Sequence, residues 1–493
     1  MTDQTNHGVS AAAESQVPEI EEKSISKSLS GKFGREKISY TATAATQVVD
    51  RHDDRKAVFF YVAYTKDDVD PAERPLVFAF NGGPGSSTVW LHLGLFGPKR
   101  IKFDSDGFPE GVPGRLIDNE YSILDVADVV HVDAIGTGLS RATPKEKEKD
   151  YHHFGRDIEA FSDFIISYLN KNQRWASPLY LAGESYGTTR AAAMAANLFH
   201  RYGIQLNGVI LISVVMNFQT IAMDRNDYMF HPGNDLPHMT HLPTYAATAW
   251  YHKALARKHQ AKSLRAFLDE VEEFALGQYW SALAQGDNLD DAERKRVVKK
   301  LAEYTGLSAE YVDRYDMRIH IMRFCKELLR SQNRTVGRID SRYTGIDRTP
   351  DGNTLESDPS TNLTTGPMTS ALNHYVRSDL GFDSEDFYEI LSMEINEAWD
   401  YEDFKNQYVD TSEKLREAMS RAQTMKVFVA NGYYDLATPH LACEYTFSHM
   451  GLDPQIRKNV QMEYYEAGHM MYVHIPSLKK LATDLRAFVK ASS

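Results

Sequence analysis

The stretch YLAGESYGTTRAAA, residues 180–193, joins an apolar run to an alanine-rich run through a turn that contains two glycines. Short continuous apolar runs are typical of strands buried on both faces, and alanines favour a helix. GESYG at residues 183–187 matches the G-x-S-x-G pattern, in which the glycines allow a sharp strand-to-helix turn that exposes the serine. The helix N-terminus favours negative charge beside that turn. The stretch therefore predicts Ser185 as a nucleophile.

Strand-like and helix-like segments alternate around this turn. PLVFAF, VADVVHVDAI, LNGVILISVVM and MKVFVANGYYD have strand character, and GRDIEAFSDFIISYLNKN has the spacing of an amphipathic helix. Such alternation is the signature of an α/β fold with a mostly parallel sheet flanked by helices. Two earlier segments, KISYTATAATQVVD and KAVFFYVAYT, predict an antiparallel hairpin.

The pattern also divides the chain. Residues 1–30 are rich in Ser, Ala and Glu without periodicity, and we expect a mobile N-terminal tail. Residues 216–422 are mainly helical and predict a cap inserted into an α/β catalytic domain formed by residues 31–215 and 423–493. Within the cap, the polar residues 345–367 predict a loop.

Composition excludes several classes of function. The 493 residues carry a net charge of −13, which disfavours nucleic acids and anionic membranes as partners. The first residues lack the basic and apolar regions of a secretory signal, and no window approaches the roughly 18 apolar residues of a membrane span. The two cysteines, Cys325 and Cys443, allow one disulfide at most, and two buried free thiols suit them better. We expect a cytoplasmic protein.

A nucleophilic serine needs a base and an acid that orients the base. In α/β hydrolases these follow the serine in the order acid, then histidine. Asp435 follows the strand-like KVFVA, and His469 follows the last strand and Gly468. Other candidates in the region lie inside predicted helices, beyond the loop or in a turn: His440, His449, His474 and Asp453. We predict the catalytic triad Ser185, Asp435 and His469.

The glycine-rich segment FAFNGGPGSSTVW, residues 78–90, supplies the other requirement of acyl transfer, two backbone N–H groups aimed at the developing oxyanion. One N–H belongs to the residue after the nucleophile, Tyr186, and the other to the loop after an early strand. We predict Gly83 as the second donor. Side chains at Gly82 and Gly83 would obstruct the approach of a substrate carbonyl.

Five separated motifs complete the pattern: FNGGPGSSTVWLHLGLFGP, NEYSILDVADVVHVDAIGTGLS, GESYG, the segment around Asp435, and AGHMM. Together, over roughly residues 35–490, they resemble the serine carboxypeptidase family. The resemblance implies an α/β-hydrolase fold with a helical cap, and the oxyanion pair named above. It further implies that Asn81, Gly82 and Glu184 bind the C-terminal carboxylate of a peptide, which requires Glu184 to be protonated.

The chain departs from the family at two positions. The family has a second glutamic acid where this chain has Leu95, so carboxylate binding is weaker or is achieved differently. Arg141 or Arg190 is a hypothetical replacement cation, although both also fit ordinary surface arginines. Ser86 replaces a family cysteine, which resembles a bacterial-type, cytoplasmic branch.

We therefore predict a serine carboxypeptidase that acts on peptides through an acyl-enzyme. An esterase or acyltransferase with the same triad is the alternative, since plant relatives in the family transfer acyl groups. A catalytically silent binding protein fits poorly with an intact triad. No metal is expected, because H-E-x-x-H and paired Cys/His spacings are absent from the sequence, and no cofactor is expected. The resemblance also allows a homodimer.

Overall fold

The computed structural model describes residues 21–50, 56–143, 145–223 and 233–493. The strands within these ranges are β1 Ser24–Phe33, β2 Glu36–Asp50, β3 Lys56–Lys66, β4 Leu76–Phe80, β5 Lys99–Ile101, β6 Leu116–Asp118, β7 Asp128–Val132, β8 Arg141–Thr143, β9 Leu179–Ser185, β10 Gly208–Val214, β11 Thr335–Val336, β12 Thr344–Gly345, β13 Lys426–Gly432 and β14 Val460–Tyr465. The α-helices are α1 Val89–Leu91, α2 Phe154–Asn172, α3 Tyr186–Tyr202, α4 Leu236–Tyr251, α5 Arg257–Gln260, α6 Leu264–Phe274, α7 Trp280–Gln285, α8 Asp291–Thr305, α9 Ala309–Arg314, α10 Ile321–Glu327, α11 Pro359–His374, α12 Met393–Glu397, α13 Ser412–Arg421, α14 His440–His449, α15 Pro454–Arg457 and α16 Ile475–Ser492.

Within the described residues, one sheet of ten strands organises the molecule, in the order β1-β2-β3-β7-β4-β9-β10-β13-β14 with β8 paired to β3. The hairpin β2–β3 is antiparallel and β3 is antiparallel to β7. From β7 to β14 every neighbouring pair is parallel. Helices connect the parallel strands, so the predicted α/β-hydrolase fold is confirmed.

Both faces of the central strands are buried, because alternate side chains of a strand point to opposite faces. In β4, Phe78 and Phe80 belong to the apolar cluster that includes α2 and α3. Val77 and Ala79 belong to the cluster on the other face, with α11 and α16. This is why these strands read as continuous apolar runs in the sequence.

The tail prediction was wrong for residues 24–30. They form most of β1, which pairs with β2 from Ser24 opposite Ala45 to Phe33 opposite Glu36. The strand lies at the edge of the sheet and is held through backbone hydrogen bonds, so its composition gave no signal of burial. Residues 1–20 lie outside the described residues.

The helical insertion has two kinds of packing. Helices α4 and α6 to α10 share an apolar cluster, which also includes Tyr433 and Leu436. By contrast, α11 and α13 pack into the clusters on the two faces of the sheet. The domain boundary after residue 422 therefore stays a prediction, since the last part of the insertion shares its core with the sheet.

The loop predicted at residues 345–367 was wrong for residues 359–367, which open helix α11. The Asp358 carboxylate accepts the Ser360 N–H as the N-cap, and Pro359 occupies the first turn. Thr364 and Pro367 are buried against the core, so tertiary packing overrides a polar, proline-containing sequence. In the part of the chain that the structure describes, no helix has both the length and the apolar character needed to span a bilayer.

Candidate active site

Ser185 sits at the turn between β9 and α3 with φ +59° and ψ −130°, a conformation that is rare for a residue with a side chain. The two glycines of GESYG make this turn possible. A Cβ at Gly183 would lie 2.1 Å from the Gly187 carbonyl oxygen, and a Cβ at Gly187 would lie 2.8 Å from the Phe80 carbonyl oxygen. The backbone of the turn therefore packs directly against itself and against the end of β4, with no room for side chains at the two glycines. This is the tight turn predicted for the nucleophile.

Asp435 follows β13 and His469 follows β14, so two neighbouring parallel strands bring the predicted acid and base together at one sheet edge. His469 Nδ1 is 2.7 Å from Asp435 Oδ2. Asp435 also accepts hydrogen bonds from the N–H groups of Ala437 and Thr438 and from the Thr438 hydroxyl. These bonds fix the carboxylate, and the carboxylate fixes the orientation of the imidazole.

His469 is poised to act as a base. Burial opposes its charged form, but the negative charge and hydrogen bond of Asp435, with a smaller contribution from Glu184, outweigh that effect and raise the pKa. Ser185 and His469 line the same cavity of ≈ 270 Å³. The arrangement therefore supplies a nucleophile with a base that is held by a buried acid.

Gly83 lies beside the nucleophile and lines the same cavity as Ser185. Its φ of +100° favours glycine, and a Cβ there would lie 2.8 Å from the Ser86 nitrogen. Tyr186 is the first residue of α3, so its N–H has no acceptor within the helix. Both predicted oxyanion donors thus flank the serine.

Gly82 packs tightly against the nucleophile turn. A Cβ at Gly82 would lie 2.4 Å from the Tyr186 nitrogen and 2.5 Å from the Gly187 nitrogen. The glycine loop packs directly on the nucleophile turn, and this contact by itself excludes a side chain at Gly82.

Residues 390–396, which lead into α12 and form most of it, hold the glycine loop through hydrogen bonds. Ser87 donates its N–H to the Ile390 carbonyl, and Ser392 donates its N–H to the Gly85 carbonyl. The Asn396 side chain donates to the Pro84 carbonyl. These contacts come from residues more than 300 positions away, within the predicted cap.

The predicted carboxylate-binding residues come together in the 270 Å³ cavity, which Asn81, Gly82 and Glu184 all line. Asn81 Nδ2 donates to Glu184 Oε1 at 2.9 Å, and Asn81 Oδ1 accepts the Leu91 N–H. Within the described residues, Glu184 Oε2 is buried without a hydrogen bond of normal geometry. The Tyr472 hydroxyl lies beside Glu184.

Glu184 keeps its proton to a higher pH than an ordinary glutamic acid. Burial raises its pKa to about 7, against opposing contributions from His469, the Tyr472 hydroxyl and Asn81. Leu95, which occupies the position of the family's second acid, is fully buried in the apolar core. The cavity therefore offers one carboxyl with a raised pKa where the family pattern has two acids.

Neither predicted replacement cation enters this cavity. Arg190 is fully buried and binds both oxygens of Asp157, at 2.7 and 3.2 Å. The Arg141 guanidinium donates to backbone carbonyls, including those of Ser140 and Phe387. Both predictions were wrong, because each guanidinium is already satisfied by partners that the sequence does not reveal.

Sequence reasoning missed Arg338. It lines the 270 Å³ cavity and also a second cavity of ≈ 570 Å³ that reaches Ser185 and Gly83. It lies in the cap, in NRTVGRIDSR, and no motif marks it. The second cavity was also missed; its aromatic walls come from distant segments, Tyr186, Phe218, Trp399 and Tyr401.

Comparison with known proteins identifies a family. The model of the serine carboxypeptidase family matches residues 41–480. Serine carboxypeptidase-like 8 of Arabidopsis thaliana is 31% identical over 137 residues, 27% of this chain and 30% of that protein. Serine carboxypeptidase-like 13 of the same plant is 29% identical over 159 residues, 31% of this chain and 35% of that protein. The match spans about a third of the length of these curated relatives.

Solved structures with the same general architecture are more distant. A haloalkane dehalogenase loop variant from Bradyrhizobium elkanii has a TM-score of 0.35 at 12% identity, over 92% of this chain and 97% of that one. A peroxisomal α/β-hydrolase from Saccharomyces cerevisiae has a TM-score of 0.36 at 10% identity, over 96% of this chain and 90% of that one. These scores are low, so the fold assignment rests on strand order and connectivity.

Proposed function

The chain belongs to the serine carboxypeptidase family, and on that premise we propose that it is a serine-type carboxypeptidase, a hydrolase that releases C-terminal residues from peptides. The proposal names Ser185, Asp435 and His469 as the catalytic residues. It also names Asn81, Gly82 and Glu184 as the residues that hold the C-terminal carboxylate.

The reaction uses two half-steps. His469 takes the Ser185 proton as the serine oxygen attacks the scissile carbonyl, and Gly83 and Tyr186 donate N–H groups to the resulting oxyanion. His469 then gives its proton to the leaving amine, and the C–N bond breaks to leave an acyl-enzyme. Water, deprotonated by His469, attacks the ester and frees the serine. Asp435 orients His469 throughout and stabilises the imidazolium.

The single observation that carries the proposal is Glu184 beside Asn81 in the cavity that opens on the nucleophile. A buried carboxyl whose pKa is raised to about 7 can donate a hydrogen bond to a carboxylate, whereas an ester or an amide gains less from it. We assign this cavity to the departing C-terminal residue. We assign the larger aromatic cavity to the residue on the acyl side of the scissile bond.

The test is turnover of an N-blocked dipeptide and its C-terminal amide from about pH 4 to about pH 9, the range in which the proposed groups titrate. We expect strong preference for the free acid and no turnover by the Ser185→Ala variant. Equal turnover of acid and amide would overturn the assignment of the carboxylate site. A fluorophosphonate that failed to label Ser185 would overturn the serine mechanism itself.

An esterase or acyltransferase is the second candidate, and the burial of Leu95 in place of a second acid is the observation that favours it. The same triad cleaves esters. A matched ester of the dipeptide separates the two: ester turnover that far exceeds peptide turnover, with no preference for a free carboxylate, would put this candidate first.

The finer assignments are also proposals. Ser86, where the family has cysteine, is the observation behind a bacterial-type branch, whereas the relatives described above are plant proteins and do not support it. Cys325 and Cys443 are buried and free, which supports a reducing, cytoplasmic setting. We propose a peptide as the partner at the site, and neither nucleic acid nor membrane, because the net charge is negative. Sedimentation would decide whether the protein is a homodimer.

A further inference from the structure

Arg338 brings a positive charge to the wall that two cavities share. Both cavities reach Ser185, and the smaller one contains Glu184. Arg338 is half-buried, and its charge is close enough to His469 to oppose protonation of the imidazole. The guanidinium therefore stands within the electrostatic reach of the reacting groups.

This guanidinium has no protein partner among the residues that the structure describes. Only the backbone of Arg338 is engaged: its N–H donates to Asp358 Oδ2 at 3.0 Å, and its carbonyl accepts the Leu436 N–H. The Asp358 carboxylate is occupied by the N–H groups of Arg338, Ile339 and Ser360 and does not pair with the Arg338 side chain. Half-buried arginines are usually paired, so a free one at a cavity wall is suited to an anion from outside the protein.

The backbone around Arg338 is tied to both catalytic loops. Leu436, next to Asp435, donates to the Arg338 carbonyl, and His469 donates its N–H to the Ile339 carbonyl at 2.8 Å. Gly468 donates its N–H to Asp340 Oδ2. The backbone of this segment is therefore fixed relative to the base and the acid. A fixed backbone lowers the entropic cost of presenting the guanidinium to a substrate.

The same cavity lacks one carboxylate-binding group. Leu95 is fully buried and offers no hydrogen bond, so Glu184 and Asn81 are the polar side chains that remain from the predicted set. Asn81 already donates from Nδ2 to Glu184 and accepts the Leu91 N–H at Oδ1. A peptide carboxylate bound there needs a second charge partner, and Arg338 is the free cation on the described part of that wall.

We propose that Arg338 is a specificity-determining residue that pairs with the C-terminal carboxylate of the peptide, opposite Glu184. The inference rests on the carboxypeptidase activity proposed above. Pairing also removes an obstacle to catalysis: the bound carboxylate neutralises the positive charge that otherwise disfavours the imidazolium of His469. The guanidinium thus favours substrates with a free C-terminus both in binding and in the transition state.

The test is calorimetric binding in the Ser185→Ala background, so that no ligand is consumed. Three ligands are compared: an N-blocked dipeptide acid with apolar side chains, its C-terminal amide, and a dipeptide amide whose only carboxylate is a glutamate side chain on the C-terminal residue. Arg338→Gln is expected to weaken binding of the acid by about 10- to 100-fold and to leave both amides within about twofold. Arg338→Lys is expected to restore part of the loss, because it keeps the charge without the planar fork.

Arg334→Gln is the matched control, because Arg334 is exposed, four residues away, and donates to the backbone carbonyl of Asn333. It should leave binding of all three ligands unchanged. Equal weakening of the acid and both amides by Arg338→Gln would overturn the inference in favour of a structural role. Selective weakening of the glutamate amide would overturn it in favour of a pocket for acidic side chains.

Two further outcomes separate this inference from the proposed function. If the Ser185→Ala protein binds the acid no better than the amide, the inference is overturned. If the unmodified protein fails to hydrolyse the acid although Arg338→Gln selectively weakens its binding, the proposed function fails while carboxylate recognition by Arg338 stands.

Discussion

Arg190 Nη1 donates a hydrogen bond to the backbone carbonyl of Asn81 across 2.7 Å. The same guanidinium binds both oxygens of Asp157 and lies over the rings of Phe161 and Tyr186. A helix buried behind the nucleophile is thereby linked to the loop that carries the predicted carboxylate-binding residues. Arg190 is therefore a positioning residue.

Replacing Arg190 with Met is expected to lower the free energy of unfolding by about 3–5 kcal/mol, because Asp157 would be left buried without its counter-charge. Urea denaturation measures the change. Arg201→Met is the control: the Arg201 side chain is 44% exposed in its ion pairs with Glu159 and Asp163, and the substitution should cost no more than about 1 kcal/mol. Equal losses for the two variants would contradict the importance of the buried pair.

Asp435→Asn is expected to lower kcat by about 10⁴-fold with little change in KM, because the amide can stabilise neither the required tautomer nor the imidazolium of His469. Steady-state kinetics with the dipeptide acid measures the effect. Asp453→Asn serves as the control, since Asp453 caps α15 on the surface. A drop of less than about tenfold for Asp435→Asn would remove Asp435 from the triad.

The activity toward a free acid is expected to fall toward both low and high pH. Below the raised pKa of His469 the base is protonated, so kcat/KM falls as the pH decreases. Above about pH 7 Glu184 loses its proton and repels the substrate carboxylate, so kcat/KM falls as the pH increases. Because the two groups interact, the profile reports the pair rather than each group alone.

Variants of the Glu184 site test this profile. Glu184→Gln keeps a donor at every pH, so the fall on the alkaline side should disappear while the fall on the acid side stays. The Tyr472 hydroxyl lowers the pKa of Glu184, whereas burial raises it. Tyr472→Phe removes the hydroxyl, so the pKa of Glu184 should rise and the alkaline fall should move to higher pH. An alkaline fall that is unchanged in Glu184→Gln would assign it to another group.

Gly82→Ala is expected to abolish activity and to reduce stability, because its Cβ would clash with the backbone nitrogens of Tyr186 and Gly187, which cannot move without breaking the nucleophile turn. Gly277→Ala is the matched control. No atom lies within 4 Å of a Cβ at that helical position, so the substitution should raise stability by up to about 1 kcal/mol. Thermal unfolding and fluorophosphonate labelling measure both variants, and a fully labelled Gly82→Ala protein would contradict the clash.

The chemistry of the nucleophile could be predicted from sequence because it depends on local structure. The Ser185 turn is produced by residues that are adjacent in the chain, namely the end of β9, the two glycines and the start of α3. The positions of Asp435 and His469 followed because parallel strands end at one sheet edge, so their loops meet wherever the sheet forms. The pairing of β2 with β3 was predictable because both segments alternate apolar and polar residues and follow each other closely in the chain.

Which charges face the cavity was decided by the tertiary structure. Arg141, Arg190 and Arg338 are equivalent as residue types, yet the first two are satisfied by backbone carbonyls and by Asp157. Only packing of the cap onto the catalytic loops leaves Arg338 free among the described residues. The sequence by itself predicted Ser185, Asp435 and His469 and determined the fold that brings them together, because the turn at Ser185 and the ends of the parallel strands follow from local backbone geometry. The tertiary structure decided which charged groups line the cavity, because the partners of a long charged side chain come from segments far apart in the chain.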